Sequence, residues 1–491
     1  MADQLLIGWA EADVTPKTDK FISLSGQYYE RFTKEVYSRL KFVCAAFSKG
    51  SEQFVVGTLD IGEIDGLIHE AVGRLAAEAE PEIDPSRVFI NAIHTHTAPA
   101  ANDRDVDLGL FCPQMTDGPR PAAAEILTPK EYMDFLVPLL AKTVVAAWRA
   151  RRPGGVARAF GNARIGHCRR AVYRNGTAEM YGDTTRPDFT AMEAGEDTGV
   201  EMLFTYDEGG KKTGMMLNVA CPSQVMEATY KVSADFAGAT RELLKQEFGP
   251  DFHTLYQISP AGCQSPRDLV RHYEDTEPDF WHESGVPVLA NRLLAAVRAA
   301  KTYPVDYAPV LKSTVQEVTL PRRKVSYVDY EAAKAELARL EAILPEQPAF
   351  EQFCAETFAN EKLDGHGPYD SKLHHFVLIK NAKAVLKRYG DQDAKPNVTL
   401  RLNTVRLGDI AIANNPFELY LYYGQIIKAR SRAKQTFLIQ LSGGQPLGYL
   451  PSPDGAKFGG YGGLVVNGQC GPDAGFKLAD ATVAAINALF D

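Results

Sequence analysis

Short apolar runs that alternate with amphipathic helical segments constrain the fold of this chain more than any other feature. Residues 54–60 and 88–93 are rich in branched and aromatic side chains, which is typical of buried strands. Between them, residues 63–79 carry apolar side chains at helical spacing: Ile64, Leu67, Ile68, Ala71 and Leu75. The pattern predicts a strand, a helix and a second strand that ends at His94, the unit from which α/β folds are built.

The same alternation continues through about the first 300 residues. Helices are expected over residues 130–150 and 284–301, and strands resume at 398–402 and 410–413.

Residues 328–396 differ from the alternating pattern. An amphipathic helix rich in Ala, Glu and Leu opens this stretch, and a polar helical segment follows it. We predict a helical insertion within the domain. The exposed face of its helix leaves open a homo-oligomer, although a solvated helix is the more frequent reason for such a face.

The composition is that of an ordinary soluble globular protein, with 45% apolar and 23% charged residues. The formal net charge of −9 argues against a nucleic-acid-binding surface. The N-terminus lacks the pattern of a signal peptide, and no apolar run approaches the roughly 18 residues that span a membrane. Seven cysteines without a Cys-x-x-Cys pair indicate reduced thiols. We therefore expect a soluble, cytoplasmic protein without a transmembrane segment.

Residues 94–99, His-Thr-His-Thr-Ala-Pro, directly follow the predicted second strand. Alternate residues of a strand share a face, so His94 and His96 are expected to point into one cleft at its carboxyl end. Imidazole is the commonest neutral metal ligand and a common general base. The pair alone leaves open a metal or catalytic site and a structural pair of buried histidines.

Other polar residues that follow predicted strands or turns are candidates for the same cleft. Glu418 either binds a metal or stabilises a helix N-terminus. Cys221 is either a ligand or an inert buried thiol. Ser265 lies in a glycine-containing turn without the Gly-x-Ser-x-Gly pattern of a serine hydrolase. Tyr449 and Tyr461 lie among glycines, where a phenol coordinates metal, stabilises an oxyanion or only packs.

Taken in order, these segments resemble the catalytic domain of the neutral/alkaline non-lysosomal ceramidase family. Residues 8–16, Gly-Trp-Ala-Glu-Ala-Asp-Val-Thr-Pro, are similar to its opening element, and a strand ending at Asp60 follows. The further matching segments are the histidine motif at 94–99, Cys168-Arg169-Arg170, Ser-Ala-Asp-Phe-Ala-Gly at 233–238, Ala-Gly-Cys-Gln-Ser-Pro at 261–266, Pro-Phe-Glu at 416–418, and Tyr449 with Tyr461. The resemblance covers nearly the whole chain, from about residue 8 to residue 488, and implies a single catalytic domain over residues 1–491.

The resemblance implies an α/β fold in which a layered sandwich of mixed β-sheets is flanked by helices, without the family's C-terminal immunoglobulin-like domain. It also implies one zinc ion per chain. By position, the ligands would be His94, Glu418 and Tyr449, and Cys221 stands where the family has its second histidine ligand. Because a thiolate binds zinc well, we predict these four residues as the metal ligands.

The resemblance further implies the roles of the residues around the metal. Ser265 would contact or attack the scissile carbonyl, Arg169 and Tyr461 would stabilise the developing oxyanion, and His96 would act beside the metal. The predicted substrate-binding residues are Arg170, Gln264 and Cys263, the last in place of the family's aspartate.

Together these features predict a zinc-dependent hydrolase that cleaves an amide (N-acyl) bond of a small polar or sugar-derived substrate. Ceramide is not expected, because Cys221 and Cys263 alter the site and no lipid-docking helix is evident. Three alternatives stay open: a cysteine-dependent enzyme, a glycan- or glycoside-active enzyme on the same fold, and a non-catalytic protein that binds a small molecule.

Overall fold

The structure is a computed structural model that describes residues 4–27, 29–103, 120–270, 280–363 and 374–491. Cys112 lies outside the described residues. In chain order the strands are β1 (Leu6–Asp13), β2 (Phe21–Ser23), β3 (Phe32–Thr33), β4 (Lys41–Lys49), β5 (Glu52–Leu59), β6 (Val88–Ala92), β7 (Ile126–Leu127), β8 (Arg152–Asn162), β9 (His167–Cys168), β10 (Arg170–Tyr173), β11 (Ala178–Met180), β12 (Phe189–Met192), β13 (Gly199–Asp207), β14 (Lys212–Val219), β15 (His253–Ile258), β16 (Gln264–Ser265), β17 (Lys301–Thr302), β18 (Leu311–Pro321), β19 (Asn397–Leu407), β20 (Ile410–Asn414), β21 (Glu418–Leu419), β22 (Gln435–Ile439) and β23 (Tyr449–Leu450).

The α-helices are α1 (Gly66–Ala79), α2 (Pro129–Arg149), α3 (Asp235–Phe248), α4 (Gly285–Ala299), α5 (Tyr327–Ile343), α6 (Glu346–Leu363), α7 (His375–Asp391), α8 (Leu421–Arg430), α9 (Pro453–Phe458) and α10 (Pro472–Ala488). Short 3-10 helices cover Pro85–Arg87, Ala123–Glu125 and Val465–Asn467. The start of α2 shows how local sequence fixes such elements. Thr128 and Glu131 cap each other's backbone and Pro129 occupies the first turn, where its missing N–H has no cost.

The largest sheet has the order β15-β14-β13-β8-β1-β4-β5-β6, and β17 pairs with β8. Neighbouring strands are antiparallel except β5 with β6 and β14 with β15. The parallel pair β5 and β6 is connected through α1, which confirms the predicted strand–helix–strand unit. The second strand ends at Ala92 rather than at His94, because His94 has left the extended conformation, with φ at 59°.

A second sheet, β18-β19-β20-β22, packs face to face against the first. In β4 the alternation of side chains divides the strand between two cores. Val43, Ala45 and Phe47 face the second sheet and meet residues such as Ile412 and Phe437. Phe42, Cys44 and Ala46 face the opposite side.

Helices cover both outer faces of this sandwich. Helices α1 to α4 pack on the first sheet, and α8 and α10 pack on the second. The expected α/β architecture, a layered sandwich of mixed sheets flanked by helices, is thereby confirmed.

Helices α5, α6 and α7 lie in the stretch that was expected to be an insertion. They connect β18 to β19, which pair antiparallel up to Pro321 and Asn397. Their apolar faces form a separate small core around Tyr29 of the main body: Leu340, Ala349, Phe353, Phe376 and Ile379. That the whole chain is one domain stays a prediction.

Two further findings concern membrane-spanning helices and disulfide bonds. None of the helices in the described ranges is long and apolar enough to cross a membrane. The described cysteines Cys44, Cys168, Cys221, Cys263, Cys354 and Cys470 form no disulfide bonds with one another.

Candidate active site

The two histidines lie in an irregular turn that follows β6. His94 has a φ of 59°. Such backbone strain, of order 1–3 kcal/mol, persists only where surrounding contacts hold it, often at functional sites. The rings of His94 and His96 pack edge to face, with centroids 5.1 Å apart. The rings are neighbours as expected, but the proposed reason, alternation along a strand, was wrong.

The backbone carbonyl of Gly62 fixes the proton of His94. It lies 2.6 Å from Nδ1, and a carbonyl oxygen only accepts, so Nδ1 carries the proton and Nε2 presents its lone pair. Burial acts to lower the pKa of His94, but the Glu418 carboxylate and the Gly62 carbonyl raise it overall. The surroundings of His94 Nε2 therefore favour a positive charge at that atom.

Glu418 and Tyr449 come from the two-stranded parallel pair of β21 and β23. In this pair Glu418 lies directly beside Tyr449, and its N–H donates to the carbonyl of Gly448 over 3.0 Å. The expectation that Glu418 opens a helix was wrong, because α8 begins only at Leu421. A short ladder instead brings an acid and a phenol together.

His94 and Glu418 face each other across a gap. The distance from His94 Nε2 to Glu418 Oε2 is 3.4 Å. A charge-assisted hydrogen bond is shorter, about 2.7–2.9 Å. Two ligands of one tetrahedral zinc ion, at about 2.0–2.1 Å from the metal, lie about 3.3 Å apart. The observed separation therefore suits a pair of metal ligands better than a direct hydrogen bond.

Arg169 adds a positive charge to this pair. Its Nη2 donates to Tyr449 Oη over 3.2 Å and to the carbonyl of Gly262 over 3.1 Å, and it lies 3.7 Å from Glu418 Oε2. Burial acts to raise the pKa of Glu418, but His94 and Arg169 lower it overall. Burial and the Glu418 charge raise the pKa of Tyr449 well above its usual value, so the free phenol keeps its proton.

Tyr461 lies next to Tyr449, with ring centroids 5.5 Å apart and the planes at 73°. Its side chain is partly exposed. The two tyrosines that the sequence placed among glycines thus meet in space, beside Arg169 and Glu418.

Arg170 points away from this group. Its Nε donates to Glu193 Oε2 over 2.5 Å, and Nη2 donates to the Gly459 carbonyl over 2.6 Å. Its Nη1 donates to the carbonyl of Tyr461. The fully buried guanidinium is therefore occupied in holding the glycine-rich segment, and substrate binding by Arg170 stays a prediction.

The turn at residues 261–266 passes beside Arg169, whose N–H donates to the Cys263 carbonyl over 3.0 Å. Ser265 is fully buried, and its Oγ accepts from the Arg267 N–H over 3.2 Å. The Gln264 amide donates to the Gly195 carbonyl over 3.1 Å. Burial raises the pKa of the Cys263 thiol. The roles predicted for Ser265, Gln264 and Cys263 stay predictions.

Cys221 is not grouped with His94 and Glu418. Its thiol donates to the carbonyls of Ile165 and Pro222, at 3.5 and 3.4 Å, within the hydrophobic core. Burial raises its pKa well above the usual value, which favours the neutral thiol. Within the described ranges no group of three or more His, Cys, Asp or Glu residues is arranged to hold a metal ion. Tyr449 would have to complete any site at His94 and Glu418.

Two residues that the sequence analysis did not assign lie against His96, and a third binds one of them. Glu227 Oε2 lies 2.8 Å from His96 Nδ1, and the Gln224 amide nitrogen lies 2.8 Å from His96 Nε2. Arg267 donates to Glu227 Oε1 over 2.6 Å. Burial acts to raise the pKa of Glu227, but Arg267 and His96 lower it to about 2. Burial lowers the pKa of His96.

Sequence offered little to find these three residues. Gln224 follows the strand-ending Cys221-Pro222 segment, a place where polar residues often serve a site. Glu227 and Arg267 lie in irregular segments. Only the folded chain brings them together.

The chain is similar in structure to solved ceramidases. A neutral ceramidase from Pseudomonas aeruginosa superposes with a TM-score of 0.67 at 15% sequence identity, over 99% of this chain and 74% of that one. A ceramidase complexed with C2 gives a TM-score of 0.65 at 14% identity, over 99% of this chain and 75% of that one. No protein-family model matches the sequence, and no curated protein matches it. The fold is therefore that of the ceramidases, and membership of their family stays a prediction.

Proposed function

We propose that this protein, built on a ceramidase fold, is a zinc-dependent hydrolase that cleaves an amide bond of a small polar or sugar-derived N-acyl compound. The observation that carries the proposal is the 3.4 Å gap between His94 Nε2 and Glu418 Oε2. In the neutral form of His94 the Nδ1 proton faces the Gly62 carbonyl, so both atoms that face the gap are then acceptors. Two facing acceptors call for a cation between them.

His94, Glu418 and Tyr449 would hold the ion. An imidazole, a carboxylate and a phenol are hard or borderline donors, and three protein ligands with one open position are usual for catalytic zinc. Zinc in such a site lowers the pKa of a bound water to about 7 and polarises a substrate carbonyl. The Gly62 carbonyl would orient His94, as partners of metal-bound histidines commonly do.

Arg169 and Tyr461 would receive the charge that develops on the carbonyl oxygen of the substrate. Arg169 is held before any substrate arrives, through Gly262, Tyr449 and Tyr181. Donors fixed in advance stabilise a transition state without reorganising during the reaction. Tyr461 is partly exposed and packs against the ring of Tyr449, which places it beside the proposed ligands.

Chemical properties of the two cysteines weaken the thiol-enzyme alternative. Burial raises the pKa of Cys221 well above its usual value and also raises that of Cys263. A nucleophilic cysteine needs a lowered pKa and some exposure. The glycan-active and non-catalytic alternatives, the cytoplasmic location and the oligomeric state stay predictions.

The experiment is elemental analysis of purified protein by mass spectrometry, together with turnover of a panel of N-acyl compounds. We expect about one zinc per chain, as catalytic sites of this kind bind. His94→Ala should lose both metal and turnover. His253→Ala is the matched control, because His253 also pairs with a carboxylate, Glu11 at 3.2 Å, in another part of the molecule; it should keep both.

Two results would contradict the proposal: turnover by metal-free protein, and a His94→Ala variant that keeps its metal. The zinc content of a Cys221→Ser variant tests whether Cys221 is the fourth metal ligand. Since the thiol bonds carbonyls of the core, we expect this variant to keep its zinc. Loss of zinc from it would return Cys221 to the ligand set.

A further inference from the structure

We propose that a cleft remote from the candidate active site binds the phosphate group of a small phosphorylated molecule. The cleft has a volume of about 530 Å³. Small-molecule sites usually have volumes of about 300–1,000 Å³. The cleft shares no residue with the site of the function proposed above, so the two proposals are independent.

Both sheets contribute to the walls of the cleft. The walls come from β8, from residues 303–310 after β17, from the turn between β19 and β20, and from residues 432–434 before β22. Strand β20 begins beside the cleft at Ile410 and ends at Asn414, shortly before Glu418. The cleft and the candidate active site therefore lie at opposite ends of this strand.

Positive charge is concentrated in the lining of the cleft, although the chain as a whole carries a net charge of −9. The charged lining residues are the cations Arg158, Arg406, Arg432 and Lys434 and the carboxylates Asp306 and Asp409. A concave site lined mainly by one sign of charge focuses the field and concentrates ions of the opposite sign. The lining therefore favours an anionic ligand.

Arg158 is fixed in the wall that the first sheet provides. Its Nε donates to Asp409 Oδ2 over 2.8 Å, and its guanidinium carbon lies 3.4 Å from the centre of the Tyr303 ring. A guanidinium has five N–H donors, so one carboxylate oxygen does not exhaust it. Planar guanidiniums bind phosphate oxygens through paired hydrogen bonds, and a group that is held in advance loses less freedom on binding.

Arg406 belongs to the wall that the second sheet provides. Its Nε donates to the Gly408 carbonyl over 3.0 Å and its Nη1 to the Leu489 carbonyl over 3.0 Å. The ring of Phe490 supports the guanidinium, with its centre 4.3 Å from the guanidinium carbon. These partners carry no net charge, so they position the Arg406 side chain without neutralising it.

Arg432 and Lys434 extend the positive lining on the side of the second sheet. Arg432 pairs with Asp491, and its side chain is 56% exposed. Exposed ion pairs of this kind contribute little, so the contact does not commit the guanidinium. Lys434 is exposed, and its backbone N–H donates to the Asp409 carbonyl over 2.8 Å.

Cations on both walls suit a phosphate group better than a carboxylate. The three terminal oxygens of a phosphate point in different directions, whereas the two oxygens of a carboxylate share one plane. Asp306, the remaining acid of the lining, accepts from the Ala308 N–H over 2.9 Å and is thereby engaged in its own loop.

The test is isothermal titration of the full-length protein with inorganic phosphate at neutral pH and low ionic strength. We expect saturable binding that weakens as salt is added, because salt screens exposed charges. His94→Ala should still bind phosphate, although this variant is expected to lose the metal and turnover of the proposed active site. Absence of saturable binding, or its loss in His94→Ala, would overturn the proposal.

Arg158→Gln and Lys434→Gln each remove one cation from the cleft. Each should weaken phosphate binding about 10-fold or more, as expected for a hydrogen bond from a charged group. Arg186→Gln is the matched control, because Arg186 also stacks on a tyrosine, Tyr173 at 3.8 Å, and pairs with an aspartate, Asp188 at 2.8 Å, outside the cleft. Since Lys434 is exposed, its variant keeps the test valid even if Arg158→Gln does not fold. Unchanged binding in Lys434→Gln, or equal weakening in the control, would overturn the proposal.

Phosphatidylcholine vesicles with and without phosphatidic acid identify the carrier of the phosphate group. A lipid headgroup brings the flat surface of a membrane with it, whereas this site is a concave cleft, so we expect neither kind of vesicle to bind. Binding of the phosphatidic acid vesicles that is lost in Lys434→Gln would overturn the assignment to a small molecule and indicate a lipid headgroup instead.

Discussion

Burial, together with the positive charge of Arg401, sets the ionisation of His69. It lies on the inner face of α1, and burial lowers its pKa to about 4. An unfolded histidine titrates near 6.5. Between these two values the unfolded chain binds a proton that the folded chain does not, so stability falls as the pH falls through this window.

His69→Leu should therefore reduce the acid sensitivity of the protein. From the shift to about 4, the wild type should lose about 2 kcal/mol of unfolding free energy at this residue between about pH 7 and pH 5. The variant should lack that loss. Denaturant unfolding at the two pH values measures it, with about pH 8 as a control, where His69 is neutral in both states. Equal acid sensitivity of the two proteins would show that His69 is protonated in the folded state.

The identity of the site residues was more predictable than their contacts. His94, Glu418, Tyr449 and Arg169 were named from the sequence and the family resemblance, and the fold brings them together. The contacts of Cys221 were not predictable. The direction of that thiol depends on Ile165, which reaches it from another segment, and no local pattern carries this information.

The glycine-rich segment after α9 is held by the Arg170 guanidinium and also packs closely against the backbone of β11. Gly460 has a φ of +69°, and a Cβ there would lie 1.9 Å from the carbonyl oxygen of Ala178. Gly176 has a φ of +80° with nothing within 4 Å of such a Cβ. The two positions share the backbone strain and differ in the space around it.

Gly460→Ala should destabilise the protein more than Gly176→Ala. Both changes place a side chain in the left-handed region, which costs about 1–2 kcal/mol. Only Gly460→Ala also forces the segment away from Ala178, and the next residue is Tyr461. We expect a larger loss of unfolding free energy, together with a loss of the proposed activity. Equal losses of unfolding free energy in the two variants would mean that the segment can move away from Ala178 at no cost in stability.

Helices and strands with a long hydrophobic pattern were predictable from the sequence. Strands of only two residues were not. The periodicity of α1 and the apolar runs of β5 and β6 were sufficient to place all three. The two-residue strand at Glu418 has no period of its own. It exists because it pairs with Tyr449 of β23, a contact between distant parts of the chain.

The predicted insertion, helices α5 to α7, is joined to the candidate active site through a short segment of the main body. Their small core encloses Tyr29, and two residues later Arg31 donates to the His96 carbonyl. Loosening the insertion should therefore reach the histidines.

Phe353→Ala tests this connection. Phe353 is buried against this core, and its truncation should cost about 3–5 kcal/mol of packing. Hydrogen exchange should rise in the insertion and in peptides that contain Tyr29, while β4 and β5 stay protected. Tyr327→Ala is the control in the same insertion, since Tyr327 is 64% exposed. A rise confined to the insertion would show that it is independent of the main body.

The layered architecture of the whole molecule was expected from the resemblance, whereas its division into sheets was not. Local patterns mark strands but do not say that β1 lies between β4 and β8, or that β22 joins β20. Which strands lie side by side depends on contacts between segments that are far apart in sequence, and these contacts form only in the folded chain.

The pairing of Glu418 with Tyr449 also orders events during synthesis on the ribosome. His94 emerges early, in a strand–helix–strand unit whose contacts are local, whereas its acid and phenol partners emerge near the end of the chain. A nascent chain therefore contains the histidines before it contains the acid and the phenol that would complete the proposed site. The proposed site can therefore be completed only after Glu418 and Tyr449 have been synthesised, long after His94.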